Sequence, residues 1–158
     1  MSDDYKVTIC IDPDILRSGV AIYHDKKLLS LESLGFYDLM QKLEMIKRIK
    51  SGSCSVLLEA GWLNKSNFHL QYKSKGKTIK LTPAAAAETG RRVGQNHQVG
   101  ILILEMCQGM EIPCRLIKPL EPNLWKDSAT VFKNITGWEG ATNPEKRDAA
   151  MIGFMHIK

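Results

Sequence analysis

Apolar and polar positions along the chain follow two periods, and the changes between them mark the elements. Lys6 to Asp12 (Lys-Val-Thr-Ile-Cys-Ile-Asp) is a β-branched run that reads as a buried strand ending at Asp12-Pro13. Gly19 to His24 and Lys27 to Leu31 read as two more short strands, with His24-Asp25-Lys26 as the hairpin turn. The period then lengthens. Phe36, Leu39, Leu43 and Ile46 fall on one helical face, with Asp38 in the first turn, Lys47, Arg48 and Lys50 near the end, and Gly52 beyond it. Ser55 to Glu59 is a short apolar strand that ends in an acid. Thr82 as N-cap and Pro83 as first residue open a long helix, for which Val99, Leu102, Ile103 and Met106 supply a core stripe. Gly90, Gly94 and Gly100 each cost that helix about 1 kcal/mol against alanine, which implies a close neighbour or a break. Pro113 to Lys118 is the next strand. Pro119 and Pro122 interrupt the chain, Asn123 caps a short helix through Phe132, and Ile135 to Thr142 is a loop. Asn143-Pro144 opens the last helix, which runs to the C-terminus. This order predicts an α/β fold: a five-stranded mixed sheet, antiparallel over its first three strands and parallel afterwards, with helices on both faces.

At 158 residues the chain has the length of one domain. Its start is acidic and polar, unlike a secretory signal, and no apolar run approaches the roughly 18 residues of a membrane span. The reading is a cytoplasmic protein with no membrane partner, whose Cys10, Cys54, Cys107 and Cys114 are small core residues. Charge sharpens this. Residues 61–81 contain Lys65, Lys73, Lys75, Lys77 and Lys80 and no acid, so this loop-like segment holds the whole net charge of +5. A balanced body with one basic loop has the form of a phosphate-backbone contact, although a solvated lysine loop has the same composition. Phe68 and Tyr72 lie among those lysines, where a ring can stack on an unpaired base.

Acids stand at telling positions. Asp12 ends the first strand, Glu59 ends the fourth, and Glu145 and Asp148 share one face in the first turn of the last helix. Taken singly, such residues are ordinary; the last pair suits the helix dipole. Gathered on one sheet edge they would repel one another unless a cation lay between them. Hard oxygen donors of this kind suit Mg²⁺, with Mn²⁺ as a substitute, and two such ions roughly 4 Å apart serve phosphodiester hydrolysis.

Together the motifs resemble a family. Ile11-Asp12-Pro13, Gly19-Val20-Ala21-Ile22, Leu58-Glu59, Gly94-Gln95 and Glu145-Lys146-Arg147-Asp148-Ala149-Ala150 resemble the RuvC-type Holliday junction resolvases of the RNase H-like superfamily, from about residue 6 to residue 157. The resemblance implies an RNase H-like fold and a homodimer. It implies an endodeoxyribonuclease that resolves four-way DNA junctions with two Mg²⁺ ions per site, leaving 5′-phosphate and 3′-hydroxyl ends. Asp12 would bridge both ions, Glu59 would hold one, and Asp148 the other with Glu145 beside it. Lys118 would stand near the scissile phosphate, and Arg91, Arg92 and Gln95 would contact phosphates. Phe68 would probe the junction centre. Asp14 stands where the family has glycine, Glu145 where it often has aspartate, and the basic segment is unusual in length and lysine content. These departures point to a divergent member, of phage or mobile-element kind.

Two rival readings share these features. One is another RNase H-like nuclease that acts on simpler branched DNA or structured RNA. The other is a junction-binding protein without catalysis, which the intact set of acids disfavours. A nucleotide-binding fold of the actin or sugar-kinase type needs two large domains, and the chain is too short for them. His69 and His97 read as surface or core residues rather than bases, and Trp125 and Trp138 as core or interface anchors.

Overall fold

The structure is a computed structural model that describes residues 6–64, 71–74, 77–121 and 124–157. Strands β1 (Val7–Asp12), β2 (Ser18–His24) and β3 (Lys27–Leu34) are followed by helix α1 (Phe36–Ile49) and strand β4 (Cys54–Glu59). A 3₁₀ turn, Gly61–Leu63, leads to β5 (Gln71–Ser74) and β6 (Lys77–Lys80). Helix α2 (Pro83–Gly109), strand β7 (Cys114–Ile117) and helices α3 (Leu124–Asp127), α4 (Ala129–Thr136) and α5 (Pro144–His156) complete the order. The main sheet has five strands in the order β3-β2-β1-β4-β7. β1 is antiparallel to β2 and parallel to β4, and β4 is parallel to β7. The mixed sheet expected from the sequence is therefore the one observed.

This pairing places the site. β1, β4 and β7 run the same way, so their carboxyl ends open on one edge of the sheet, where ligands of α/β sheets bind. Both sheet faces are covered, which is why β1 and β4 read as continuous apolar runs. Ile9, Ile11, Val56 and Leu58 point to α1 and α2 and pack with Leu39, Leu43, Ile103 and Cys107. Cys10, Ala21 and Leu57 point the other way, into a second core with Trp125, Phe132, Ala149, Ala150 and Ile152 of α3, α4 and α5.

The structure corrects the sequence reading in four places. β3 continues past Leu31 to Leu34, because its pairing with β2 extends to Ser18. The basic segment contains a two-stranded hairpin rather than a plain loop, with Tyr72 opposite Ile79. Helix α2 buries Val99, Gly100, Ile103 and Cys107, whereas Leu102 and Met106 are each 38% exposed. A residue as small as Gly100 belongs to the buried stripe because Trp62 and Pro13 close directly over it. The single helix expected from Asn123 to Phe132 is two helices. Ser128 leaves helical geometry and its hydroxyl accepts the Val131 N–H at 3.3 Å, which starts α4 afresh. Asn123 lies outside the described residues. The cysteines are free, with Cys10, Cys54 and Cys107 buried. No helix among the described residues is long and apolar enough to cross a membrane.

Two close approaches seat α5 on the sheet. The Tyr23 hydroxyl donates to the Ala150 carbonyl at 2.6 Å, and Gly153 lies flat on the Tyr23 ring. Gly19, paired with Asp12 across the ladder, lets the first turn of α5 press against β2; a Cβ there would collide with the Glu145 carbonyl. Gly19→Ala must therefore push back the turn that carries Glu145. Overpacking of this kind costs about 1–3 kcal/mol. The melting temperature should fall by roughly 2–4 °C for each kcal/mol. An unchanged thermal transition would show that the contact is loose.

Candidate active site

The open edge of the sheet is a cleft of about 830 Å³. Asp12 enters it from the end of β1, Glu59 from the end of β4, and Glu145 and Asp148 from the first turn of α5. Asn143 caps that turn by accepting the Lys146 N–H at 2.9 Å, and Pro144 fixes its first residue. The helix start thus faces the strand ends, as the spacing of the acids implies. Lys118, directly after β7, lines the same cleft.

The acids feel one another. Burial raises the Asp12 carboxyl well above its ordinary range, and the charges of Glu59, Asp148 and Glu145 raise it further, against the pull of Lys126. Burial, with help from Asp148, pushes Glu59 up to about 7, again opposed by Lys126. Lys126 is the residue that sequence reasoning missed. It stands on the one-turn helix α3, and its ammonium pairs with the Asp148 carboxylate. Burial would lower its affinity for a proton, but the bond to Asp148 and the charges of Asp12 and Glu59 prevail and raise it. No pattern in the sequence singles it out, since it follows a proline-broken stretch and belongs to no periodic face.

The donor chemistry fits a hard divalent cation, because carboxylate oxygens from β1, β4 and α5 face one open cleft. As they stand, no three His, Cys, Asp or Glu side chains among the described residues are close enough to enclose an ion. The positive charge on Asp148 is instead the Lys126 ammonium.

The wall opposite α5 is built from the β1–β2 loop, the 3₁₀ turn and α2. Trp62, three residues past Glu59, lines the cleft with its ring edge-on to His97, centroids 6.4 Å apart. Gly61 fits beneath the His97 imidazole. His97 is thus a cleft-wall residue and not merely a surface one. Asp14, where glycine is the expected residue, anchors the loop. Its carboxylate accepts the Leu16 N–H at 2.8 Å and the Asn96 amide at 3.2 Å, and Asn96 in turn accepts the Ile15 N–H at 2.9 Å.

Some expected contacts lie elsewhere. Val93, Asn96 and His97 are the α2 residues that line the cleft; Arg91, Arg92 and Gln95 are not among them. Arg91 grips Glu88 through Nε and Nη2 at 2.9 and 2.8 Å and donates to Gln95 at 3.1 Å, while Arg92 reaches Glu88 at 3.0 Å. Helical geometry turns Arg91 and Gln95 away from the side of α2 shared by 93, 96 and 97 and leaves Arg92 at its margin, where Glu88 holds it. Lys77 is exposed on β6. Lys65, Phe68 and Lys75 lie outside the described residues, and for Tyr72 and Lys73 only the backbone of β5 is described. The aromatic ring seen in the cleft is Trp62.

No protein-family model and no curated protein matches the chain. Among solved structures, T. thermophilus RuvC in complex with a Holliday junction substrate superposes with a TM-score of 0.52 at 17% identity, over 96% of this chain and 93% of that one. The likeness is one of fold: the chain has the RNase H-like fold.

Crowded acids imply a testable pH dependence. Glu59 titrates near 4.5 when unfolded and near 7 in the folded chain. Between those values the native state holds protons that the unfolded state has released, so stability falls as pH rises through the window. Denaturant unfolding in a chelator should show lower stability at pH 8 than at pH 5, and Mg²⁺ should reduce that slope. Equal stability at both pH values in chelator would show that the carboxylates do not crowd.

Proposed function

We propose that the chain is a structure-selective endonuclease that cuts four-way DNA junctions by metal-assisted phosphodiester hydrolysis, leaving 5′-phosphate and 3′-hydroxyl ends. The observation that carries this reading is the meeting of Asp12, Glu59, Glu145 and Asp148, from three elements, in one open cleft of an RNase H-like fold. When bound, two Mg²⁺ ions would supply Lewis-acid stabilisation of the phosphate and a hydroxide-like nucleophile. Asp12, on the central strand, would be the acid shared by both ions. Glu59 would hold one ion, and Asp148 with Glu145 the other. No side-chain nucleophile is required. Lys126 pairs with Asp148 in the free protein, and with an ion bound to Asp148 its ammonium would be a cation beside the phosphate. Lys118 adds a second positive charge at the cleft, and Trp62 offers a flat ring to a base next to the cut strand. The lysines of the 61–81 segment, Lys77 on β6 among them, would hold the DNA arms. Arg91, Arg92 and Gln95 would meet DNA only beyond the cleft, after release from Glu88.

A symmetric dimer fits a two-fold junction. Ile101, Leu102 and Met106 on α2 are 40%, 38% and 38% exposed, and they form an apolar face of the kind two copies can share. Leu102→Glu with Met106→Glu should give a monomer by light scattering that cuts only one strand of a junction. A wild-type protein that is monomeric while it cuts both strands would exclude this interface.

Asp12→Asn and Asp148→Asn remove a ligand charge with little change in volume. Each should lower cleavage in Mg²⁺ by about 10²-fold or more while junction binding in Ca²⁺ or chelator persists. Full cleavage by Asp12→Asn would refute the assignment. Trp62→Ala should weaken junction binding by about 1–3 kcal/mol, the worth of one stacked base, and weaken binding to linear duplex less.

A further inference from the structure

Among the described residues, Arg147 is the buried cation that the proposed chemistry does not use. It precedes Asp148 on α5 and is only 6% exposed. A buried guanidinium is ordinarily matched to a carboxylate. Here its hydrogen bonds end on neutral oxygens. Nε, at 2.9 Å, and Nη2 both donate to the main-chain carbonyl of Lys126, and Nη1 donates to the Thr142 hydroxyl at 2.9 Å. The next residue, Asp148, takes the ammonium of the same lysine. Two consecutive residues of α5 therefore hold Lys126 at both ends, by its carbonyl and by its side chain.

The element that carries Lys126 is slight. Helix α3 spans Leu124–Asp127, a single turn, and is followed at once by the Ser128 cap of α4. One turn has no stability of its own. Among its attachments are the buried Trp125 side chain, the Lys126–Asp148 ion pair and the Arg147 fork. The fork restrains the Lys126 main chain, because two donors of a rigid planar group converge on its carbonyl.

We propose that Arg147 is a positioning residue that sets Lys126 over the acids. It sends the lysine's four-carbon stem toward Asp148. This deepens the nuclease reading above and rests on it for the consequence in catalysis, but not for the clamp itself.

The test separates the two. Arg147→Gln removes the fork and leaves Asp148 intact. In metal-free protein, the rate at which an amine-reactive acylating reagent modifies Lys126, read by mass spectrometry, should rise at least roughly fivefold, since one net hydrogen bond is worth about that factor and the fork to the Lys126 carbonyl holds two. Thr142→Val, a milder change that frees only Nη1, should give a smaller rise in the same direction. It carries the test if Arg147→Gln does not fold. For junction cleavage, Arg147→Gln should lower kcat with little change in KM. In a Lys126→Met background it should lower kcat no further, since no ammonium remains to be placed. A residue that merely supports the fold would give additive losses. Unchanged acylation of Lys126 in folded Arg147→Gln or Thr142→Val, or additive losses in the double variant, would overturn the proposal. If acylation rises as described but the wild-type protein cuts no junction, the clamp stands and the nuclease reading falls.

Discussion

Like charge gathered on one sheet edge is the constraint around which this molecule is organised. β1 and β4 are parallel neighbours, so Asp12 and Glu59 emerge side by side, and α5 begins against them with Glu145 and Asp148. Burial first, and the charge of neighbouring acids second, favour the protonated carboxyl, and Asp12 and Glu59 are both shifted that way. The fold accepts this and braces the surroundings. Gly19 admits the helix start, the Tyr23 hydroxyl and Gly153 seat the rest of α5, and Lys126 brings a counter-charge. On the proposed reading, cations would relieve this crowding at a site whose supports are already set.

Much of this was legible in the sequence because it rests on local rules. The continuous β-branched and apolar runs gave β1, β2 and β4, and the Thr82-Pro83 and Asn143-Pro144 pairs marked the starts of α2 and α5. The acids could be placed because strand ends and a helix start are fixed by those same signals. What escaped depended on contacts between distant segments. Leu102 and Met106 fit the α2 stripe by spacing, but the neighbours of α2 chose Gly100 and Cys107. Arg91 and Arg92 lie close in sequence to the Gly94-Gln95 motif, yet the rotation of α2 turns Asn96 and His97 to the cleft. Lys126 and Trp62 carry no periodic signature. Their importance follows from where α3 and the 3₁₀ turn settle.

The cleft and the basic segment divide the work. The cleft supplies chemistry from rigid elements, with donors on two strands and a capped helix. Among the described residues, Lys73, Lys77 and Lys80 of this segment stand on a separate antiparallel strand pair, outside the main sheet.

The most direct test is cleavage of a synthetic four-way junction beside a linear duplex built from the same arm sequences, with Mg²⁺ and with chelator. The account predicts paired cuts near the branch point of the junction in Mg²⁺, ends that a ligase can join, no cutting in chelator, and little cutting of the duplex. Equal cutting of junction and duplex, or cutting that survives the chelator, would contradict it.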